Sequence, residues 1–238
     1  MSDGLDGATL RRAMALFCDA LERHRDEIDS LNVFPVPDGD TGTNLLLTQR
    51  AVLHALPATG SLSDVASAMA ESALGSARGN SGVILSQVYE GFARGVAAPP
   101  PSGSGPLALA LREASVAADR TMSDPKEGTI LTVLRAAADA AETHAGDPDP
   151  ARMVLEALAA ARRALEGTRE ALPELRAAGV VDAGGKGMAL LLDALHAAVT
   201  DGPLSEPVGP SGPVGRADVR QGELPADRFE LELSLIHI

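Results

Sequence analysis

The chain has 238 residues, 45% of them hydrophobic but only 2% aromatic, with no tryptophan and a formal net charge of −13. That charge argues against nucleic acid or an anionic membrane as a main partner, and the length admits one large domain or two small ones. A single cysteine, Cys18, rules out an intrachain disulfide and suits a cytoplasmic setting, and no apolar run reaches the length of a membrane span.

Leu10, Met14, Phe17 and Leu21 recur at helical spacing and predict a first helix over residues 6–29. Cys18 lies within it and reads as a small packed residue rather than a nucleophile. A loop over 32–42 follows, then a second helix over 43–56 that Pro57 stops. A third helix starts at Ser61 or Ser63, with Leu62, Val65, Met69 and Ala73 on one face. The run Ala77-Arg78-Gly79-Asn80-Ser81-Gly82 breaks it, and a fourth helix covers 81–96 with Leu85, Val88 and Phe92 in line. Residues 98–106 are a Pro/Gly/Ser linker.

The fifth helix is predicted over 107–122, and residues 123–128 form a loop. Thr129 opens a sixth helix that runs to about His144. A seventh begins after Pro150, with Val154, Leu158, Ala161 and Leu165 at helical spacing, and Pro173 should kink or restart it. A glycine-rich loop over 179–187 leads into the eighth helix, 186–199. The fold class is therefore all-α, eight helices in an antiparallel up-and-down arrangement. Residues 201–227 read as a Pro/Gly-rich linker. Phe229, Leu231, Leu233 and Leu235 alternate with polar residues, as in a strand. Residues 228–238 are thus expected to be the start of a following domain, cut short, with 234–238 open to being non-native.

The chemistry concentrates in Asn32-Val-Phe-Pro-Val-Pro-Asp-Gly-Asp-Thr-Gly-Thr-Asn44. Asp38 and Asp40 are hard oxygen ligands on a proline-stiffened loop, which suits Mg²⁺ and its preference for phosphate co-ligands. Thr41, Thr43 and Asn44 stand where a helix begins, and helix starts offer free N–H groups to anions. The plainer alternative is a Pro-Asp-Gly turn followed by an ordinary helix cap. Gly79-Asn80-Ser81-Gly82 offers a second anion-binding helix start, or a tight turn with a cap. Thr129 is an N-cap or a phosphate contact. Gly179-Val-Val-Asp-Ala-Gly-Gly-Lys-Gly187 fails as a Walker A loop in spacing and in its Gly187, and Lys186 either meets phosphate or caps a loop. The five histidines show no metal spacing. In an up-and-down bundle alternate connections share one end. These four loops therefore belong together, bringing Asp38, Asp40, Asn44, Ser81, Thr129 and Asp182 to one place.

Taken together, the four segments (32–44, 77–87, Glu127-Gly-Thr-Ile-Leu131 and 179–187) resemble the ATP-binding domain of bacterial fatty-acid kinases, within the dihydroxyacetone-kinase L-subunit (DAK2/DhaL) family. The resemblance covers residues 5–200 and implies a closed eight-helix barrel that binds ATP or ADP with two Mg²⁺ at one end. It implies metal ligation by Asp38 and Asp40, with Asn32 where the dihydroxyacetone-kinase branch has a third aspartate. It implies nucleotide contacts from Thr41, Gly42, Thr43, Asn44, Gly79, Asn80, Ser81, Gly82, Thr129, Asp182, Ala183, Gly184 and Lys186. Leu85 is expected beside the adenine. The implied acceptor is a fatty-acid carboxylate presented by a separate fatty-acid-binding carrier protein, and the full-length protein would be a homodimer. A dihydroxyacetone-type acceptor and a non-catalytic nucleotide-sensing module are the alternatives.

Overall fold

The computed structural model describes residues 5–100, 105–147 and 149–205. Nine helices occur among them: α1 (Gly7–Leu31), α2 (Thr41–Ala55), α3 (Leu62–Ser76), α4 (Gly79–Ala97), α5 (Pro106–Thr121), α6 (Ile130–Thr143), α7 (Pro150–Ala171), α8 (Pro173–Ala178) and α9 (Ala183–Val199). Eight are the long helices expected from the sequence. The ninth, α8, is six residues long and exists because Pro173 ends the α7 ladder and restarts a helix as its first residue. The tail assigned to linker and strand lies outside the described residues from 206 onward.

Helices that start at one end carry their own caps. Asp6 accepts the Thr9 N–H at 2.7 Å, Ser61 and Asp64 form a reciprocal capping box, and Asp149 accepts the Ala151 N–H at 2.9 Å. Pro106 opens α5, where its missing N–H costs nothing. Each long helix packs against its neighbours in sequence, and α9 packs against α1, so the ring closes. Short connections force the neighbours antiparallel.

Leu10, Met14, Phe17 and Leu21 of α1 face the interior, as do Met69, Leu85, Leu158 and Met188. One polar chain crosses this core: the Tyr89 hydroxyl donates to Gln49 Oε1 at 2.5 Å, and Gln49 Nε2 donates to the Met14 carbonyl at 2.9 Å. Every buried polar atom in that chain has a partner, so it pins α1, α2 and α4 without leaving a desolvated group. Small residues allow close helix approach. A Cβ on Gly91 would collide with the Glu113 carbonyl, and one on Gly95 would lie 2.5 Å from Ala110 Cα, so α4 and α5 touch nearly backbone to backbone.

Candidate functional site

Three helices begin earlier than the glycine-rich stretches indicate. α2 starts at Thr41, α4 at Gly79 and α9 at Ala183, so much of the expected loop sequence is first helical turn. The glycines are there for room as well as for turning. A Cβ on Gly185 would lie 2.9 Å from Val133 Cγ2, and one on Gly187 would lie 2.5 Å from Leu45 Cδ1. Gly79 combines a φ of +56° with a Cα pressed against the Asn44 amide, so an L-residue there is strained twice over.

The loop between α1 and α2 is organised by Asn32, which is buried at the end of α1. Its Nδ2 donates to the Val36 carbonyl at 2.8 Å and to Asp38 Oδ1 at 2.6 Å. Its Oδ1, the atom a metal would require, accepts the Thr41 hydroxyl. Asp38 is exposed and Asp40 half-buried. Ser81 Oγ lies 3.4 Å from Thr41 Oγ1, which joins the α3–α4 connection to the α1–α2 loop. Thr48 helps fix that junction: its hydroxyl donates to the Asn44 carbonyl at 2.8 Å and accepts the Arg78 N–H at 3.1 Å. Asn80 is exposed beside them.

Asp182 does a different job from a surface ligand. It is 6% exposed and caps α9, accepting the Gly185 N–H at 2.7 Å, and it also accepts the Ile130 N–H at the start of α6. Its own N–H donates to Thr168 Oγ1 on α7 at 2.9 Å. Burial pushes its carboxyl up to about 6 against the lowering effect of those two N–H groups. Asp182 thus staples α6, α7 and α9 together. Thr129 caps nothing with its side chain; its hydroxyl donates to the Lys126 carbonyl at 2.8 Å.

Lys186 is tied down. Its Nζ lies 3.1 Å from Glu27 Oε1 on α1, and Glu27 Oε2 lies 2.7 Å from His24 Nδ1. Burial alone would raise the Glu27 carboxyl, but the His24 hydrogen bond and the Lys186 ammonium outweigh it and hold it below its ordinary value. This pair brings the start of α9 to the end of α1. Together with the Gly187–Leu45 and Ser81–Thr41 approaches, it places all four connections at one end of the ring. Leu85 stands apart from the rest: it is fully buried in the core and cannot flank a ligand from outside. Sequence reading also passed over His24, Glu27, Asp29, Thr48 and Thr168. Asp29 had a signal, since it sits one helical step before Asn32 on the same face.

Helices α2, α4, α6 and α9 all begin at this end, and the first three have no cap from their own N-cap side chain. The first turns of α2, α4 and α9 offer backbone N–H groups locally at this end, where α1, α3, α5 and α7 also terminate, and Asp38 and Asp40 place carboxylates beside them. Among the described residues no cluster of three or more His, Cys, Asp or Glu side chains could hold a metal without help. Two carboxylates do fit Mg²⁺ when substrate phosphates complete its shell.

A helical ring of this connectivity with its glycine-lined helix starts at one end defines a DAK2 domain. The family model for that domain matches residues 35–197, and the chain belongs to the family. It is 38% identical over 187 residues to protein YloV of Bacillus subtilis, covering 77% of this chain and 34% of YloV. It is also 38% identical over 194 residues to an uncharacterised protein of Staphylococcus saprophyticus, covering 80% and 35%. The chain therefore spans about a third of the length of the curated relatives it matches. Its fold is shared with the dihydroxyacetone kinase of C. freundii, solved in complex with AMP-PNP and Mg²⁺, at a TM-score of 0.61 and 20% identity over 79% of this chain and 33% of that one.

Proposed function

We propose that the four-connection end binds Mg·ATP and that this domain is the nucleotide-binding part of a kinase acting on a fatty-acid carboxylate. One observation carries the reading: the starts of α2, α4, α6 and α9 converge beside Asp38 and Asp40, and the N-cap side chains of the first three take none of their N–H groups. Free N–H groups suit the oxygens of a polyphosphate, and paired carboxylates suit the cation that accompanies it. The complex of the C. freundii enzyme with AMP-PNP and Mg²⁺ supports the same choice of ligand.

Phosphoryl transfer is catalysed mainly by positioning and charge neutralisation, and the residues divide along those lines. Asp38 and Asp40 hold the metal; Asn32 orients Asp38 through its amide. With Asp38 and Asp40 as its ligands, Mg²⁺ would supply positive charge against the phosphates. The N–H groups of Gly79, Asn80 and Ser81, with the Ser81 hydroxyl, hold one part of the triphosphate. Those of Thr41 and Gly42 hold another, and the Ala183–Gly184 segment closes the third side. Thr43, Asn44, Gly82, Thr129 and Lys186 set the shape of this floor. A carboxylate acceptor is already ionised at neutral pH, so no general base is required. The acceptor would be carried by a separate fatty-acid-binding protein, as the resemblance of the four segments to fatty-acid kinases implies.

The likeness to dihydroxyacetone kinase favours a second reading, in which the acceptor is a small hydroxy ketone. Incubation with Mg·ATP and either a loaded acyl carrier or dihydroxyacetone separates them. Acyl phosphate as the product supports the first reading. Dihydroxyacetone phosphate alone would replace it with the second. Mg·ATP binding with neither product, from this domain and from a protein of its relatives' full length alike, would leave a nucleotide-sensing module.

A further inference from the structure

The residues assigned above leave Asp29 unused, although it is fully engaged. It lies in the last turn of α1. Its Oδ1 accepts the Thr43 N–H at 3.0 Å and its Oδ2 accepts the Thr43 hydroxyl at 2.7 Å. Thr43 is the third residue of α2, and its N–H is the donor that an N-cap side chain normally takes. The N-cap here is Asp40, a residue type well suited to that bond, and it makes none. Asp40 enters the helix with ψ near 2°, outside the extended range of a usual N-cap, and the carboxylate from the neighbouring helix holds the donor. The packing explains the outcome. α2 begins so close to α1 that a Cβ on Gly42 would lie 2.5 Å from the Arg25 carbonyl and 3.1 Å from Asp29 Oδ1. Asp29 is therefore delivered to Thr43 by a rigid element, whereas Asp40 stands at the end of a loop.

We propose that Asp29 is a positioning residue: by capping α2 from α1, it keeps the Asp40 carboxylate off its own helix and free to meet a divalent cation. The proposal rests on the reading of Asp40 as a metal ligand. Without Asp29, the Thr43 N–H loses its side-chain acceptor, and Asp40, as the N-cap residue, would replace it by folding its side chain back onto the helix start. A metal-facing group would then become an ordinary cap.

Two measurements test this. The Mg²⁺ concentration that half-saturates ATP binding is compared in wild type, Asp29→Ala and Asp29→Asn, alongside thermal melts. Asp29→Ala should raise it about tenfold, the usual scale for losing a supporting contact behind a metal ligand. Asp29→Asn retains an oxygen for the Thr43 N–H and should stay close to wild type. A melting temperature that falls in Asp29→Ala while the Mg²⁺ requirement stays fixed would reduce Asp29 to a structural cap and overturn the proposal. The second measurement is the crystal structure of ligand-free Asp29→Ala, where the Asp40 carboxylate should accept the Thr43 N–H. Asp40 unmoved, with water on that N–H, would also overturn it. If wild type binds ATP without regard to Mg²⁺, the metal reading fails by itself, and the Asp29→Ala structure still decides whether Asp29 holds Asp40 off the helix.

Discussion

Asp38 accepts from the Asn32 amide and Asp40 makes no cap bond to its helix, which makes both cheap to remove from the fold and costly to remove from a metal site. Asp38→Ala and Asp40→Ala should each abolish Mg²⁺-dependent ATP binding while changing unfolding free energy by less than about 1 kcal/mol. Calorimetric titration and urea unfolding check the two halves separately. Asp182 behaves in the opposite sense. Its carboxyl titrates near 6 in the folded chain against an ordinary 3.8, so the folded state holds a proton that the unfolded state has lost between those values. Its contribution to stability is complete below pH 4, declines as pH rises through that window, and is gone above about pH 6. The difference amounts to about 3 kcal/mol. Glu27, held low by His24 and Lys186, slopes the other way, so only a comparison isolates Asp182. Asp182→Asn should flatten the fall in stability between pH 4 and 6 relative to wild type. Parallel curves would show that Asp182 is not the group responsible. Both aspartate motifs were legible as sequence, but their roles were not equally so. Asp38 and Asp40 lie between prolines and glycines that mark a surface loop. Asp182 lies in similar company, yet burial by α6 and α7, far away in sequence, turns its carboxylate inward.

The long helices were visible in the spacing of apolar residues because each buries one stripe, and Pro57, Pro150 and Pro173 mark boundaries by what proline cannot do. Their first turns were not visible. Gly79–Gly82 and Gly184–Gly187 look like loop because glycine is a poor helix former, and the reason they are helical is a neighbour that leaves no space for a side chain. The same logic makes Gly91 and Gly167 a contrasting pair. Gly91→Ala forces α4 away from α5 and should destabilise by about 1–3 kcal/mol, as overpacking does. Gly167, inside α7, has open space around its Cα, so Gly167→Ala should stabilise by about 0.5–1 kcal/mol through helix propensity. Thermal melts of the two variants give the sign directly. Destabilisation by both would mean that α7 is packed against something at Gly167.

Over the whole domain, alternation of direction turns eight long helices into two ends with different chemistry. One end starts α1, α3 and α7 with self-supplied caps and α5 without one; the other starts α2, α4 and α6 without them and α9 with Asp182 as its cap. That the four connections share an end followed from the sequence once the helices were counted, since alternate connections must do so; which helix starts lack a cap of their own did not. Ring closure did not follow from periodicity, because the α1–α9 packing joins residues nearly the full domain apart. Nor did the supporting contacts of Asp29 with Thr43 and Glu27 with Lys186, which depend on that closure and on helix ends meeting. The central claim is that the four-connection end, with its two aspartates, is built for a polyphosphate and a divalent cation together. Isothermal titration of the wild-type chain with ATP, in Mg²⁺ and then in excess chelator, tests it most directly. The account predicts saturable one-to-one binding in Mg²⁺ and at least roughly tenfold weaker binding in chelator, a difference of about 1.4 kcal/mol. Equal affinity under both conditions, or no binding in either, would contradict it.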